Sequence, residues 1–199
     1  MEVKPLSEIG SRVTMPAKRP DDSPVFQLKV TLRGSDPPIW RRILVRGSTT
    51  LYKLDLVIQI AMGWTNSHLH LFHVGDVVYG EPDPEWDAKD ERRAKLGQIV
   101  GQEGDRFVYE YDMGDSWQHE VVVEKVLPPE PATRYPMCVA GERACPPEDV
   151  GGIWGYAHFL EAIQQPDHPE HRDMLDWVGG SFDPEAFDIE TVNRIMKRA

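Results

Sequence analysis

The sequence predicts an α+β fold: a mixed, mainly antiparallel sheet with a β-grasp-like core packed by helices, followed by a helical C-terminal third. Three observations predict it. Apolar and polar residues alternate over 25–33, helical spacing follows over 48–63, and further helical patterns occupy the chain after residue 152. The elements run strand, strand, helix, strand, short strand, short helix, strand, which is the order of a β-grasp core. We expect the strand at 116–127 and the C-terminal third to be additions to that core.

The first two strands form a predicted hairpin. In VFQLKVTLR (25–33) every second residue is apolar, which is the period of a half-buried strand. GSDPP (34–38) is a turn, because glycine relaxes the backbone and proline cannot donate to a strand ladder. IWRRILVRG (39–47) is then the returning strand.

An amphipathic helix follows the hairpin. Ser48 to Thr50 offer N-cap hydroxyls, and Gly63 suits the position after the helix end. Apolar side chains recur at helical spacing between them: Leu51, Leu54, Ile58 and Met62. We expect this apolar face to pack across one face of the sheet.

The middle of the chain alternates short strands with polar connections. HLHLFHV (68–74) and VVYG (77–80) flank a Gly75–Asp76 turn, and an acidic loop covers 81–91. AKLGQIV (94–100) predicts a short helical turn. A second hairpin follows, made of RFVYEYD and SWQHEVVVEKVL.

The last third carries three helical patterns. GYAHFLEAIQ (155–164) and DHPEHRDMLDWV (167–178) each place apolar residues on one face. In the third pattern, Asp183 before Pro184 predicts an N-cap followed by proline at the first helical position.

Length and composition indicate one cytoplasmic domain without a membrane span. At 199 residues, with 40% apolar and 28% charged residues, the chain is typical of a soluble globular protein. We assign residues 25–199 to a single domain and the proline-containing segment 1–24, which lacks the apolar core of a signal peptide, to a flexible N-terminal arm. The long uncharged run Leu56–Gly75 contains too many polar residues and histidines to span a membrane.

The net charge of −11 argues against a nucleic-acid partner, because duplex binding relies on neutralising phosphates with basic side chains. One local concentration of positive charge exists: Lys29, Arg33, Arg41, Arg42 and Arg46. We interpret these residues as solvent-facing strand positions that protect a sheet edge. The alternative is a nucleic-acid-binding accessory protein that uses four of them: Arg33, Arg41, Arg42 and Arg46.

The stretch YDMGDSWQHE (111–120) is either a catalytic or metal site or a hairpin corner. Asp112 and Asp115 can accept backbone hydrogen bonds in a turn. Strand parity places His119 on the apolar face with Trp117, where a lone imidazole is usually a hydrogen-bonded core group. We favour the architectural interpretation and keep a functional pocket as the alternative.

A second unusual stretch is CVAGERACPPEDVGG (138–152). Its cysteines, prolines, acidic pair and glycines predict an ordered loop that is neither helix nor strand, and such loops often carry function. The alternative is a rigid connector that caps the helix starting near Trp154, with Asp149 as the cap.

We predict that these two stretches pack together. The loop forms no strand ladder of its own, so its backbone donors are available to Asp112 or Asp115. The sulfur atoms of Cys138 and Cys145 are expected to lie close to each other.

The three histidines of HLHLFHV fall on both faces of a predicted strand, with His68 and His70 on one face and His73 on the other. A histidine pair of this spacing holds a metal ion only with a third ligand, and strand histidines are common without one. Metal binding at this pair is an alternative to a structural role.

Four motifs occur in the chain in this order: GWTNSHLHLFHV, YEYDMGDSWQHEVVVEK, CVAGERACPPEDVGGIWGY and FDPEAFDIETVN. Together they resemble the plasmid pRiA4b ORF-3-like family, over about residues 24–198. The resemblance implies an α+β domain found in bacteria and archaea, often encoded on plasmids and beside transposases, and implies no established activity. In that family a third cysteine commonly stands where this chain has Val150. A zinc site built from Cys138, Cys145 and His119 is therefore not expected here.

From the sequence we expect a non-enzymatic binding or interaction module associated with plasmids or transposons, with an unknown protein or small molecule as its partner. The residues expected at its binding surface are Asp112, Asp115, Trp117, His119, Glu148, Asp149 and Trp154. The alternative is a metal-assisted hydrolase that uses a carboxylate and histidine cluster: Asp112, Asp115, His119 and Glu148. No cofactor is expected, and no G-x-S-x-G, Walker, H-E-x-x-H or dinucleotide signature is present.

Overall fold

The computed structural model describes residues 21–82 and 87–198. Of the N-terminal arm predicted over 1–24, only residues 21–24 are among the described residues. The assignment of 25–199 to a single domain stays a prediction. In chain order the elements are β1 (Val25–Leu32), β2 (Trp40–Arg46), α1 (Leu51–Met62), β3 (His70–Val74), β4 (Val77–Gly80), β5 (Lys89–Asp90), α2 (Leu96–Ile99), β6 (Arg106–Tyr111), β7 (Trp117–Leu127), β8 (Met137–Glu142), α3 (Gly152–Gln164), α4 (His171–Trp177) and α5 (Ile189–Met196). None of the described helices is long and apolar enough to span a membrane.

The strands of the described residues belong to one open sheet in the order β5–β4–β3–β6–β7–β1–β2–β8. Every neighbouring pair is antiparallel except β4 and β5, which confirms an α+β fold with a mixed, mainly antiparallel sheet. The strand over 116–127, expected as an addition to a β-grasp core, is β7 and lies in the interior of the sheet between β6 and β1. The β-grasp-like core is therefore not confirmed.

Helix α1 buries its apolar face as the sequence predicts. Four of its side chains lie in one buried cluster with the inward-facing side chains of β1: Leu51, Leu54, Ile58 and Met62. Thr50 is the N-cap, and its side chain accepts a hydrogen bond from the Lys53 amide at 3.3 Å. Gly63 follows the helix with a φ of 105°, a left-handed conformation that favours glycine. These caps and contacts position the loop that leads from α1 to β3.

The first part of the 138–152 segment is a strand, contrary to the loop predicted there. Met137–Glu142 forms β8 and pairs antiparallel with β2. The edge of β2 offers backbone groups that need partners, and pairing them outweighs the weak strand propensity of this glycine-containing segment. The irregular part is shorter than predicted, and we call it the 143–151 loop.

Helix α5 begins later than predicted. Its N-cap is Asp188, whose side chain accepts hydrogen bonds from the Glu190 and Thr191 amides. Asp183 instead accepts a hydrogen bond from the Glu185 amide before the helix. Asp183 and Asp188 are both suited to cap this helix. The proline that follows Asp183 is not enough to start the helix there.

Arg41 is buried, contrary to the solvent-facing position predicted for it. Its side chain lies on the core face of β2 with Ile43 and Val45, and the residue is 2% exposed. The guanidinium donates hydrogen bonds of 2.7–2.8 Å to four carbonyl oxygens, those of Ala61, Trp40, Glu142 and Arg143. Burial lowers the pKa of Arg41. Arg41 therefore fastens the end of α1 and the end of β8 to β2, and it cannot reach a nucleic acid.

Candidate functional site

His119 and Trp117 belong to the core. Both are buried on the same face of β7, as strand parity predicts. His119 Nδ1 lies 3.3 Å from the Tyr109 carbonyl oxygen, and the imidazole meets the Trp64 ring edge-on. Burial lowers the pKa of His119 to about 4, so the imidazole is neutral at neutral pH. Because it is buried, His119 is out of reach of a substrate in solution.

The two aspartates in the turn between β6 and β7 have different roles. Asp115 Oδ2 accepts a hydrogen bond from the Gly151 amide at 3.0 Å. Asp112 Oδ1 accepts a hydrogen bond from the Gly114 amide at 2.9 Å, while Asp112 Oδ2 faces His68 Nε2 at 3.7 Å. Asp115 is thus a structural link between two loops, whereas Asp112 both closes the turn and presents an oxygen atom to its surroundings.

The β6–β7 turn packs on the 143–151 loop and the start of α3, as we predicted for these two stretches. Beyond the bond from Gly151 to Asp115, the two backbones are in close contact. A Cβ atom added to Gly152 would lie 2.6 Å from the Asp115 carbonyl oxygen. The turn and the loop are therefore held together by direct backbone contact.

Two aromatic residues form the base on which this junction rests. The Trp64 ring stacks on Tyr111 at 4.7 Å, and its Nε1 donates a hydrogen bond to the Pro146 carbonyl oxygen at 3.2 Å. The Tyr111 hydroxyl accepts hydrogen bonds from the Ser67 amide at 3.0 Å and the His68 amide at 3.3 Å. These contacts position the His68 backbone beside the 143–151 loop.

A histidine and three carboxylates converge at this junction. His68 Nε2 lies 3.2 Å from Asp149 Oδ1, 3.5 Å from Glu148 Oε2 and 3.7 Å from Asp112 Oδ2. One donor atom each from His68, Asp112 and Asp149 lies within 4.8 Å of the other two. His68 Nε2 is shielded from solvent and has no hydrogen-bond partner among the described residues. We call these four side chains the carboxylate–histidine cluster.

Glu148 is held in place by its neighbours. Its Oε1 accepts hydrogen bonds from the Thr65 amide at 2.9 Å and the Thr65 hydroxyl at 3.1 Å. The Tyr111 hydroxyl lies 3.2 Å from both carboxylate oxygens and donates to them. Burial, together with the Glu148 charge, raises the pKa of Tyr111 to about 12, so this hydroxyl keeps its proton.

A left-handed backbone accompanies the cluster. Asp112, Asp149 and Asn66 have φ angles of 56°, 59° and 60°. Aspartate and asparagine adopt this region more readily than other residues with a Cβ atom, because their short side chains can hydrogen-bond to the nearby backbone. Both aspartates of the cluster therefore stand at positions that suit their residue type.

The sequence pointed to the carboxylates of this cluster but to a different histidine. It predicts His119 beside them, whereas His68 takes that place. His68 was a candidate metal ligand in the sequence as part of the HLH motif. That motif, however, predicted His68 and His70 on one face of a strand. Strand β3 begins only at His70, so His68 lies in the preceding loop. Trp154, also expected at this surface, is 85% exposed on the first turn of α3.

His70 belongs to a separate buried cluster. Its Nε2 lies 2.6 Å from Glu91 Oε2, and its Nδ1 lies 3.2 Å from Asp55 Oδ1. Asp55 also accepts hydrogen bonds from the Tyr109 hydroxyl at 2.7 Å and the Gln59 side-chain Nε2 at 2.8 Å. Burial alone would lower the pKa of His70, but the hydrogen bond to Glu91 and the charges of Asp55 and Glu91 together raise it. The two histidines of the HLH motif therefore have different partners.

The cysteines lie outside the cluster. Cys138 and Cys145 are free thiols, and burial raises the pKa of both. Among the described residues, two groups of potential ligands lie close enough to share one metal ion, and neither includes a cysteine. One is the set formed by the cluster, and the other consists of His158, His168 and Glu170. The proximity expected for the two sulfur atoms stays a prediction.

The carboxylate–histidine cluster has an open side and a buried side. The side chain of Asp149 is 72% exposed, whereas that of Asp112 is 11% exposed. A ligand from solution can therefore approach the cluster from the side of Asp149. A cleft of about 360 Å³ also opens beside His68, but it extends toward His70 and Glu91, and its lining includes none of the cluster's three carboxylates.

Comparisons with known proteins agree on the relationships of this chain. A model of the plasmid pRiA4b ORF-3-like protein family matches residues 24–191. The chain is 42% identical over 176 residues to the uncharacterized protein y4hQ of Sinorhizobium fredii (strain NBRC 101917 / NGR234), a match that covers 86% of this chain and 90% of that protein. Its fold is similar to the crystal structure of a protein of unknown function, MM3350 from Methanosarcina mazei Go1, with a TM-score of 0.79, 38% identity and coverage of 85% of this chain and 98% of that one. The chain therefore belongs to the plasmid pRiA4b ORF-3-like family.

Proposed function

We propose that this protein is a non-enzymatic binding module that takes a cationic ligand at the carboxylate–histidine cluster. The observation that carries the proposal is the convergence of Asp112, Glu148 and Asp149 around His68 Nε2. One carboxylate oxygen of Asp112 and one of Asp149 lie within 4.8 Å of each other, so their charges repel, and a cation between them relieves the repulsion. The net charge of −11 also attracts cations over a longer range.

The surrounding contacts support binding rather than catalysis. Of the four residues considered for a hydrolase, Asp115 bonds the Gly151 amide, and His119 is buried and neutral. Glu148 already accepts hydrogen bonds from Thr65 and from the Tyr111 hydroxyl. A general base has to reach the proton it abstracts, and Asp115 and His119 are committed to the fold, while the hydrogen bonds from Thr65 and Tyr111 hold Glu148 in one orientation.

Metal-assisted hydrolysis is the second candidate, because the cleft of about 360 Å³ beside His68 has room for a small substrate. In this version His68 takes the role that the sequence suggested for His119. Hydrolysis of a phosphoester, ester or amide that depends on His68 would favour this candidate. A binding module turns over none of them, whichever cation is present.

The basic residues give little support to a nucleic-acid partner. Arg41 is buried, and Arg42 Nε lies 2.5 Å from Glu124 Oε2. Glu124 offsets the charge of Arg42, and the net charge of −11 repels a polyanion. We therefore propose a small cation or a basic segment of a partner protein as the ligand.

Thermal unfolding with a panel of ions tests the proposal. Wild-type protein and the Asp112→Asn/Asp149→Asn double variant are melted with Mn²⁺, spermidine or an arginine-rich peptide, and with sulfate as the anionic control. A cation should raise the melting temperature of the wild type only, because a ligand that binds the folded state alone stabilises it. An equal rise in both proteins, or no rise with any cation, would contradict the proposal.

A further inference from the structure

We infer that the ligand of the carboxylate–histidine cluster is a divalent transition-metal ion, bound by His68, Asp112 and Asp149 with Glu148 beside them. The inference rests on the proposed function and specifies the class of cation. It differs from the zinc site considered from the sequence, because it uses no cysteine.

The distances between donor atoms fit a shared metal ion. Two ligand atoms that each lie about 2.1 Å from a metal ion are separated by ~3.0–3.4 Å at right-angled to tetrahedral angles. His68 Nε2 is 3.2 Å from Asp149 Oδ1 and 3.7 Å from Asp112 Oδ2. A small rotation of the side chains is enough to close this set around one ion.

The same distances are too short for an organic ammonium group. An ammonium nitrogen holds its hydrogen-bond acceptors at about 2.9 Å, which separates those acceptors from one another by about 4–5 Å. The separations of 3.2–3.7 Å from His68 Nε2 to the three carboxylates are smaller than that. For a ligand that uses His68 Nε2 as one of its partners, the spacing therefore fits a metal ion better than an amine.

His68 Nε2 lacks the partner that a buried nitrogen normally has. It is shielded from solvent, yet it forms no hydrogen bond with any of the described residues, although three carboxylates surround it. Leaving a buried polar atom unpaired is unfavourable. A metal ion between the nitrogen and the carboxylate oxygens supplies a partner to all of them at once.

The donor set indicates which metal ions suit the site. Carboxylate oxygens suit Mg²⁺ and Mn²⁺, whereas imidazole suits Zn²⁺ and Fe²⁺, so the combination favours Mn²⁺, Fe²⁺ or Zn²⁺ over Ca²⁺. Three protein ligands leave further positions for water or for a small molecule. The exposed side of Asp149 gives solvent access to those positions.

A second group of potential ligands provides the control. His158, His168 and Glu170 also lie within 4.8 Å of one another. There, however, His158 Nε2 lies 2.6 Å from Glu170 Oε2, and His168 Nδ1 accepts a hydrogen bond from the Glu170 amide at 3.2 Å. These nitrogen atoms already have partners, in contrast to His68 Nε2, so we expect no comparable metal affinity there.

The test is isothermal titration of Mn²⁺ into the full chain after treatment with a chelator. Wild-type protein is compared with His68→Gln, Asp149→Asn and the control His168→Gln, and a thermal melt without metal confirms that each variant is folded. Asp149→Asn keeps a residue type that tolerates the left-handed backbone at this position. We expect one Mn²⁺ per chain for the wild type and His168→Gln, and at least about tenfold weaker binding for the other two variants.

The outcomes separate this inference from the proposal on which it rests. Mn²⁺ binding that is equal in all four proteins, or that is lost only in His168→Gln, overturns the inference. If Mn²⁺ does not bind but spermidine stabilises the wild type and not Asp149→Asn, the metal ion is wrong and the cation-binding module stands. If neither Mn²⁺ nor spermidine binds, the inference and the proposed function both fail.

Discussion

A single carboxylate, that of Asp112, serves the fold and the cluster at the same time. One oxygen accepts the Gly114 amide and closes the β6–β7 turn, and the other faces His68. The positive φ of 56° at Asp112 turns the side chain into this position. Substituting Asp112 therefore changes both stability and ligand binding, whereas Asp115 allows the structural role to be measured by itself.

Asp115→Ala is expected to lower the melting temperature, because the Gly151 amide loses its acceptor. The loss of a hydrogen bond of this kind costs about 1 kcal/mol or more. Asp76→Ala is the matched control, since Asp76 is exposed in the turn between β3 and β4. A melting temperature that stays unchanged or rises in Asp115→Ala would instead indicate a catalytic residue.

For single residues, the alternation of apolar and polar positions along a strand predicted correctly which side chains are buried. The alternation of side chains along a strand placed His119 correctly in the core. The same alternation puts Arg41 on the face of Ile43 and Val45. Arg41 is nevertheless predicted to face solvent, because the sequence groups it with the basic residues interpreted as protecting a sheet edge. Its partners are carbonyl oxygens contributed by α1 and by the end of β8, and no local pattern reveals such contacts.

At the scale of elements, the contact between α3 and the β6–β7 turn depends on Gly152. We expect Gly152→Ala to destabilise the protein more than Gly179→Ala. Both glycines have a positive φ, 68° and 93°, but a Cβ at Gly152 would lie 2.6 Å from the Asp115 carbonyl oxygen, whereas one at Gly179 meets nothing within 4 Å. The difference in unfolding free energy between the two variants therefore measures the effect of the close contact at Gly152. Overpacking of this kind costs ~1–3 kcal/mol. Equal destabilisation in urea unfolding would show that the contact is not tight.

Strand β3 makes stability depend on pH through His70. The pKa of His70 in the folded protein lies above its ordinary value of 6.5, because Glu91 and Asp55 stabilise the charged imidazole against the effect of burial. The stabilisation is fully present below 6.5 and is lost as the pH rises through the folded-state pKa. The difference in unfolding free energy between wild type and His70→Gln should therefore be larger at about pH 6 than at about pH 9. A difference that does not change with pH would show that the pKa of His70 is the same in the folded and the unfolded protein, and a difference that is larger at about pH 9 would show that the imidazole is neutral in the folded protein.

Elements defined by local signals were predicted from the sequence, and elements defined by distant partners were not. Helix α1 has its N-cap, its apolar spacing and its terminal glycine within one short segment, and all three were confirmed. Strand β8 has weak strand propensity and exists because it pairs with β2. The cluster follows the same rule, since His68 and Asp149 lie far apart in the chain and only the fold brings them together.

At the scale of the whole molecule, the acidic charge limits the choice of partner. We expect no salt-dependent binding to duplex DNA near physiological ionic strength, because the net charge is −11, Arg41 is buried and Arg42 is paired with Glu124. An electrophoretic mobility shift measures this directly. Micromolar binding that weakens when Arg33 and Arg46 are substituted would overturn the expectation.

Binding of a divalent metal ion at the carboxylate–histidine cluster can be observed by anomalous X-ray scattering. Crystals of the full chain soaked in MnCl₂ are measured on both sides of the manganese absorption edge. We expect an anomalous difference peak within about 2.4 Å of His68 Nε2, Asp112 Oδ2 and Asp149 Oδ1. A peak at His158, His168 and Glu170 alone, or no peak in a crystal whose cluster is open to solvent, would contradict it.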